Sequence, residues 1–294
     1  MVQSIAGRLP DFLGLGGMRC GSTQLQVMLS GHPEIFFAEP KELHYFDNLR
    51  GLYGGGPAAY AECFAPAAPM QRVGEVTPQY FYMDYAAERM KALIPNAPLF
   101  VILRDPNARL WSHYCYNVVS GYENLSLEDA LEAEQTRIDN NYHILSHRYS
   151  YMSYSSYATH LKRLYQVFPR EQIHILFFEE FIKEPLHVLI PLCRHLGVSV
   201  PTESLVSTNM RSGANKGKFV RSVKLQYVLR NTRMLEGDSL LRKGLRRICR
   251  NVLKLNSTAV KPLNHRYKEI LSSTLGEKDD ELRDLIGRDL PWMH

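Results

Sequence analysis

The sequence contains no run approaching the ~18 to 20 apolar residues that a membrane-spanning helix needs. Its five cysteines are odd in number and widely scattered, without a C-x-x-C pair. This usage favours reduced thiols in a cytosolic chain over a disulfide framework or a zinc site, and we expect no metal centre. The first eight residues lack the charged-then-apolar layout of a signal peptide, which again favours a cytoplasmic location.

Acidic residues are nearly missing from one segment of the chain. Residues 211–261 hold fourteen Lys and Arg against only Glu236 and Asp238, whereas the whole chain has a net charge of +5. Within this segment, Leu240–Leu255 has apolar residues at helical spacing beside its cations. The pattern fits either a helix docked on the sheet or a basic face that contacts an anionic membrane or a polyanionic acceptor.

Short apolar runs alternate with helix-like segments, a pattern typical of a parallel sheet covered on both faces. The predicted strands are Asp11–Gly16, Glu34–Phe37, Arg72–Val76, Leu99–Leu103 and Gln172–Phe178. The predicted helices are Ser22–Ser30, Pro57–Phe64, Tyr82–Leu93, Ala108–Val119, Leu127–Gln135, Tyr157–Val167 and Pro185–Leu196. Asn48–Gly56 is rich in glycine, and Asn140–Ser156 is rich in Tyr, Ser, His and Asn, so both are predicted to be loops.

The stretch Phe12–Leu25 begins as an apolar strand, loosens into four glycines and continues as the start of a helix. Glycines let the backbone approach an anion, and a helix N-terminus presents unpaired N–H groups, so the stretch predicts a phosphate-binding loop. In the triphosphate loop G-x-x-x-x-G-K-[ST] a Lys follows the last glycine, but here Ser22 stands there and the cation is Arg19. That position suits a donor with one phosphate before the transferred group. A glycine turn that only packs a helix against a strand is the alternative.

These patterns together predict an α/β fold. We expect a P-loop-type parallel β-sheet of about five strands, flanked by helices and followed by a basic helical C-terminal part. A single domain is predicted for residues 1–294, with its core at 11–200 and the basic helical part at 210–294.

Two further stretches carry candidate chemistry. The apolar strand at 99–103 ends at Arg104, and a helix carrying Ser112 follows, which suits the gripping of a terminal phosphate. An ion pair between Arg104 and Asp105 is the structural alternative. The stretch 39–47, just after the second predicted strand, places the carboxylate of Glu42 next to a lysine and near a histidine.

Three motifs in this order resemble those of sulfotransferases that use 3′-phosphoadenosine 5′-phosphosulfate (PAPS), in particular bacterial and heparan-sulfate-type carbohydrate sulfotransferases. They are the glycine loop at 14–23, P-K-E-x-H-[FY]-F-D at 40–47 and R-D-P-x-x-R-x-x-S-x-Y at 104–114. The resemblance covers most of 11–181. It implies PAPS as the donor, 3′-phosphoadenosine 5′-phosphate (PAP) as a product, and no requirement for a metal.

The resemblance also implies which residues hold the donor. The 5′-phosphate would be bound by the backbone N–H groups of Cys20, Gly21, Ser22 and Thr23, with the two hydroxyls assisting. Arg19, where the family more often has Lys, would offset charge on the bridging oxygen. Arg104 and Ser112 would bind the 3′-phosphate. Tyr157 is either a further contact with PAPS or a core tyrosine. A loose match at 209–218 also implies that the 3′-phosphate is bound by Arg211, Lys216, Gly217 and Lys218. The alternative is that this loop is a solvated basic loop.

On the acceptor side, the resemblance assigns the role of catalytic base to Glu42. Lys41 would steady the sulfuryl group, and His44 is either a competing base or a structural imidazole. The stretch G-E-V-T-P-Q-Y at 74–80 also resembles the family, with Glu75 and Thr77 expected to line the acceptor side. Heparan-type enzymes often carry Lys where this chain has Val76, which argues against a glycosaminoglycan acceptor.

The predicted function is sulfuryl transfer from PAPS to an acceptor hydroxyl by in-line displacement. The acceptor would be a glycan, a glycolipid or a small molecule, and no nucleic-acid partner is expected. Two other classes stay open. A nucleoside or nucleotide kinase would need ATP and Mg²⁺, and a non-catalytic relative would bind a nucleotide or polyanion without turnover.

Overall fold

The computed structural model describes residues 7–140, 146–201, 218–231, 240–260 and 279–293, together with residues 267 and 269. The chain divides into two compact units. One comprises residues 1–109, 154–214 and 272–294, and the other comprises residues 110–153 and 215–271. The single domain predicted for 1–294 stays a prediction. No described helix has both the length and the hydrophobicity of a membrane span.

The first unit is built on a five-stranded sheet in which every neighbouring pair is parallel. The strands, in the spatial order β2-β3-β1-β4-β5, are β1 (Phe12–Gly16), β2 (Ile35–Phe37), β3 (Arg72–Val76), β4 (Leu99–Leu103) and β5 (Ile173–Phe177). Every residue of β1 and β4 is buried, because strands inside a parallel sheet are covered on both faces. The fold class is confirmed, and each predicted strand end is correct to within one residue.

The described residues between 22 and 196 form twelve α-helices. They are α1 (Ser22–Leu29), α2 (Gly56–Glu62), α3 (Gln79–Tyr82), α4 (Ala86–Leu93), α5 (Pro106–Ser120), α6 (Leu127–Glu132), α7 (Glu134–Asn140), α8 (Ser146–Tyr149), α9 (Tyr151–Ser155), α10 (Tyr157–Val167), α11 (Phe178–Lys183) and α12 (Pro185–Leu196). The helix predicted for Tyr82–Leu93 is interrupted, because Met83 adopts an extended backbone between α3 and α4. The loop predicted for Asn48–Gly56 contains a 3₁₀ turn, Leu52–Gly55.

The second unit contains α6 to α8, most of α5 and α9, a two-stranded antiparallel ribbon (Lys218–Val220 with Ser257–Ala259) and the helices Val223–Asn231 and Leu240–Asn256. The helix predicted for 240–255 is therefore confirmed, and it contacts the helix Val223–Asn231 within this unit. The loop predicted for Asn140–Ser156 is wrong for residues 146–155, which form α8 and α9.

A buried carboxylate explains that error. The Glu123 side chain accepts two hydrogen bonds from the Arg137 guanidinium (2.7 and 3.1 Å) and one from the Tyr151 hydroxyl (2.8 Å). Tyr151 is thus a core residue with a satisfied hydroxyl, not a loop residue. Its partner lies 28 positions earlier in the chain, so local composition does not reveal it.

Candidate active site

The chain between β1 and α1 forms a turn that requires glycine. Gly21 has φ 90°, and a side chain there would place its Cβ 2.4 Å from the Phe178 ring. Gly16 has φ 142°, and its Cβ would lie 2.3 Å from the carbonyl oxygen of Ile102. These close approaches explain why the glycines occur at the predicted spacing.

The N-terminus of α1 is open to an anion. Gly21 is its N-cap residue, so no side chain caps the first N–H groups, and the first turn carries no acid. Ser22 is buried, whereas Thr23 and Arg19 are exposed on the same loop. Unpaired N–H groups and the positive end of the helix dipole together favour a phosphate group here.

The side of the phosphate loop that faces the protein interior is buried. Cys20 is fully buried, and its Sγ lies 3.5 Å from the Tyr157 hydroxyl. Burial raises the pKa of Cys20 to about 11, so the thiol is neutral near pH 7. Tyr157 is itself buried, as the core-tyrosine alternative requires, and its contact with the donor stays a prediction.

Arg109 received no role from the sequence, yet its whole side chain is buried beneath the loop. Its Nε donates to the Ser155 hydroxyl at 2.8 Å, and its Nη1 lies 3.5 Å from the carbonyl oxygen of Met18. The sequence offered one signal for this role, namely a long cationic side chain within a helix that starts at an edge of the sheet. The loop therefore rests on a buried guanidinium.

Arg104 follows β4 directly and lies against the same loop. Its Nη1 donates to the carbonyl oxygen of Arg19 at 3.1 Å, and its guanidinium lies 4.6 Å from the Phe178 ring centroid. Its Nε is buried and has no hydrogen-bond partner among the described residues. Arg104 and Asp105, both among the described residues, do not form the ion pair that was the structural alternative. The Asp105 carboxylate instead accepts the Asn107 N–H (2.9 Å).

The other predicted phosphate ligands are less fully described. Ser112 lies half-buried on α5, in the part of that helix assigned to the second unit, so its joint role with Arg104 stays a prediction. Lys218 begins a short strand. Arg211, Lys216 and Gly217 lie outside the described residues.

The candidate base lies in the loop that follows β2. Glu42 and His44 have positive φ angles of 61° and 56°, which non-glycine residues rarely adopt. The Glu42 carboxylate contacts the Lys41 ammonium at 2.5 Å and the His44 Nε2 at 3.7 Å. His44 Nδ1 lies 2.8 Å from the buried carboxylate of Asp47, a residue that sequence reasoning left without a role although the spacing H-x-x-D was visible.

The charges of this group follow from its contacts. Burial would raise the pKa of Glu42, but the nearby His44 imidazolium and Lys41 ammonium outweigh it and lower that pKa to about 2. Burial would lower the pKa of His44, but the hydrogen bond to Asp47 and the nearby Glu42 carboxylate outweigh it and raise that pKa to about 9. At neutral pH Glu42 is ionised and His44 is protonated, so in this arrangement only Glu42 can accept a proton.

This charge state gives a prediction for stability. The pKa of His44 is raised in the folded chain from 6.5 to about 9, so its stabilising contribution is complete below pH 6.5 and is lost as the pH rises through 9. We expect the difference in unfolding free energy between wild type and His44→Gln to shrink by about 3 kcal/mol between pH 6 and 10. Urea titrations across this range measure it. His187→Gln, which removes an exposed imidazole on α12, is the matched control.

Glu75 and Thr77 do not line an acceptor surface, because their exposures are only 1% and 0%. The expectation is corrected by their contacts: Glu75 accepts hydrogen bonds from the hydroxyls of Tyr60 (2.6 Å), Tyr80 (2.8 Å) and Thr77 (2.6 Å). It also accepts the N–H of Leu43 at 3.1 Å, inside the base loop. A charged residue within a fully covered strand was the signal that it needed buried partners.

A pocket of about 380 Å³ lies beside the base loop. Its lining is mostly apolar, with one cation, and consists of Pro40, Leu43, Arg50, Gly51, Leu52, Gly55 and Cys63. Residues 50–52 and 55 therefore shape a concave surface next to the base loop.

The phosphate loop and Arg104 fit PAPS on two structural observations. Glycine at 17 and 21 allows the tight loop, because a Cβ there would lie 2.6 Å from Cys20 Sγ and 2.4 Å from the Phe178 ring, and the buried Nε of Arg104 has no acceptor among the described residues. Within the described residues, no group of three or more His, Cys, Asp or Glu is arranged to hold a metal ion.

Comparison with known proteins places the chain in a family. A profile described as "Sulfotransferase domain" matches residues 9–260. Human heparan sulfate glucosamine 3-O-sulfotransferase 5 is 30% identical over 185 residues, which are 63% of this chain and 52% of that protein. The chain thus spans about half the length of the first curated relatives it matches.

Solved structures agree on the fold. A sulfotransferase from Alicyclobacillus acidocaldarius superposes with a TM-score of 0.70 at 25% identity, over 97% of this chain and 98% of that one. Mouse sulfotransferase SULT7A1, complexed with PAP, shares the fold with a TM-score of 0.53 at 14% identity, over 96% and 89% of the two chains. Since the profile covers most of the sequence and runs through the phosphate loop, Glu42 and Arg104, this chain belongs to the sulfotransferase domain family.

Proposed function

We propose that this chain transfers a sulfuryl group from PAPS to a hydroxyl group of a carbohydrate or glycolipid. One observation carries the proposal: the phosphate loop, the base loop and Arg104 follow the carboxyl ends of β1, β2 and β4, at one edge of the sheet. Ligands of open parallel sheets bind at this edge. Family membership and the PAP held by the mouse structure support PAPS as the donor.

Bound PAPS would supply a sulfuryl group on its 5′-phosphate. The N–H groups at the start of α1, with Ser22 and Thr23, hold that phosphate, and Arg19 offsets the charge left on it when its bond to sulfur breaks. Glu42 takes the proton from the acceptor hydroxyl as the new S–O bond forms. Lys41 stabilises the sulfuryl group during its transfer. The products are a sulfate ester and PAP.

The acceptor assignment rests on the relatives and on the pocket. The human relative is named for 3-O-sulfation of a glucosamine in heparan sulfate, which supports a sugar hydroxyl here. The mostly apolar pocket beside the base loop supports an acceptor that also carries an apolar group, as a glycolipid does. Val76 removes the lysine that heparan-type enzymes often have at this position, in line with a less anionic acceptor.

Calorimetry separates the proposal from its alternatives. We expect PAP to bind in the absence of Mg²⁺, and ATP with Mg²⁺ to bind at least tenfold more weakly, because Ser22 replaces the lysine that would reach the outer phosphates. Tighter binding of ATP–Mg²⁺ would indicate a kinase. PAP binding without conversion of PAPS on any sugar or glycolipid hydroxyl would indicate a non-catalytic relative.

The basic stretch 211–261 supports an additional contact with an anionic membrane. In its described part, Arg247, Arg250 and Lys254 are exposed on the helix Leu240–Asn256, beside exposed Ile248 and Leu255. Cations next to apolar side chains suit an anionic surface. Co-sedimentation with anionic and neutral vesicles tests this: equal binding of wild type and Lys254→Glu to anionic vesicles would contradict it.

A further inference from the structure

The base loop adopts a backbone conformation that its own residues do not stabilise. Glu42 and His44 both adopt the left-handed conformation, which costs energy for residues with a side chain. Such a conformation persists only when surrounding contacts fix it. The residues after each of them, Leu43 and Tyr45, point their N–H groups into the protein interior.

Both N–H groups are bound by one buried cluster. Leu43 donates to Glu75 Oε2 at 3.1 Å, and Tyr45 donates to the Tyr80 hydroxyl at 2.7 Å. The Tyr80 hydroxyl donates in turn to Glu75 Oε1 at 2.8 Å, so both anchors lead to the same carboxylate. The Tyr45 ring also stacks on Tyr60 at 4.0 Å.

The carboxylate is saturated by donors. Tyr60 and Tyr80 donate to Oε1, and Thr77 and Leu43 donate to Oε2, so each oxygen accepts two hydrogen bonds. Burial raises the pKa of this carboxyl, whereas the four donors oppose that shift by stabilising the ionised form, which accepts and does not donate. At 1% exposure, Glu75 has no access to an acceptor and acts only through the groups it holds.

We propose that Glu75 is a positioning residue, which fixes the Glu42 carboxylate through the N–H groups of Leu43 and Tyr45. The inference rests on the proposed function, in which Glu42 accepts the acceptor proton. It assigns to the G-E-V-T-P stretch the task of holding the base rather than touching the acceptor. Misplacement of a reacting group by about 1 Å can cost about 10²-fold in rate, so a loose loop should be costly.

The first test needs no acceptor. Glu75→Gln puts an NH₂ group where two donors point, and Tyr80→Phe removes the acceptor of the Tyr45 N–H while keeping the ring. We expect amide hydrogen exchange of a peptide covering 39–48, measured with PAP bound, to rise at least tenfold in both variants. Tyr60→Phe removes a donor to the same carboxylate but no partner of the loop backbone, and should change this exchange much less.

The second test measures the rate and the pH dependence of sulfuryl transfer. With PAPS and a glucosaminyl oligosaccharide or glycolipid, Glu75→Gln and Tyr80→Phe should lower kcat about tenfold or more and leave the KM for PAPS unchanged. The acid limb of kcat/KM should move to higher pH, because His44 and Lys41 lower the pKa of Glu42 only while they lie close to its carboxylate. Adding Glu75→Gln to Glu42→Gln should give little further loss, since Glu75 acts through Glu42.

The outcomes separate two failures. If Glu42→Gln leaves turnover intact, the proposed base is wrong. If Glu42→Gln lowers turnover while Glu75→Gln and Tyr80→Phe keep wild-type exchange over 39–48 and a wild-type acid limb, the positioning role is wrong. Equal effects of Tyr60→Phe and Tyr80→Phe would also overturn it, because they would reflect general loss of packing.

Discussion

Glu42→Gln is expected to lower the turnover of sulfuryl transfer by about 10²-fold or more and to leave PAP affinity within about twofold of wild type. Glutamine keeps the size of the side chain and can still contact Lys41 and His44, but it cannot accept the proton of the acceptor. PAP formation from PAPS, with an oligosaccharide or glycolipid acceptor, measures turnover, and calorimetry measures binding.

Glu39→Gln is the matched control for this change. Glu39 is an exposed acid three residues earlier in the same loop, so its substitution changes the net charge equally and should leave turnover nearly unchanged. Turnover near wild type in Glu42→Gln would contradict the assignment of the base. It would then favour His44, which would have to lose the proton that Asp47 and Glu42 stabilise on it.

Arg104→Ala is expected to weaken PAP binding by about 10- to 100-fold, because hydrogen bonds to a charged group contribute about 1.5–3 kcal/mol. The affinity for AMP, which has no 3′-phosphate, should fall by less than about threefold. Calorimetric titration of both nucleotides measures the two effects. The argument depends on the position of Arg104 at the end of β4, where its Nη1 already lies on the phosphate loop.

Arg194→Ala, an exposed arginine on α12, controls for the loss of one positive charge. It should change both affinities equally and only slightly, because the general electrostatic attraction of nucleotides is weak at physiological salt. Equal losses of PAP and AMP affinity in Arg104→Ala would exclude a contact with the 3′-phosphate. They would instead indicate that Arg104 supports the loop through the carbonyl of Arg19.

The sheet was predictable because its strands are short apolar runs that end at turn residues, and burial on both faces leaves that pattern in the sequence. The phosphate loop was predictable for a related reason. Gly16 and Gly21 face Ile102 and Phe178 too closely for any side chain, so their spacing carries the geometry. Arg104 followed from its position at the end of a predicted strand, whereas the role of Glu42 came from the resemblance of 40–47 to a sulfotransferase motif.

Buried polar partners were not predictable, because the residues that satisfy them are distant in sequence. Local composition places Tyr151 in a loop, whereas its hydroxyl donates a hydrogen bond to the Glu123 carboxylate. Glu75 appeared to face the acceptor, although three hydroxyls and an N–H surround it. Local composition counts Tyr, Ser and Glu as polar and therefore exposed, whereas a hydrogen-bonded polar side chain can be buried at little cost.

The anchoring of the base loop has a consequence for how acceptor preference changes among related enzymes. Glu42 is tied through Leu43 and Tyr45 to the interior of the sheet, whereas the adjoining stretch 50–56 is glycine-rich and largely exposed. Within that stretch, Arg50 donates to the Lys41 carbonyl (3.5 Å) and the Tyr53 ring lies 5.2 Å from the Tyr45 ring, so both contact the base loop, whereas Leu52 and Gly55 line the pocket. A directed library at Leu52 and Gly55 would therefore vary the proposed acceptor pocket while leaving the contacts of the proposed base in place.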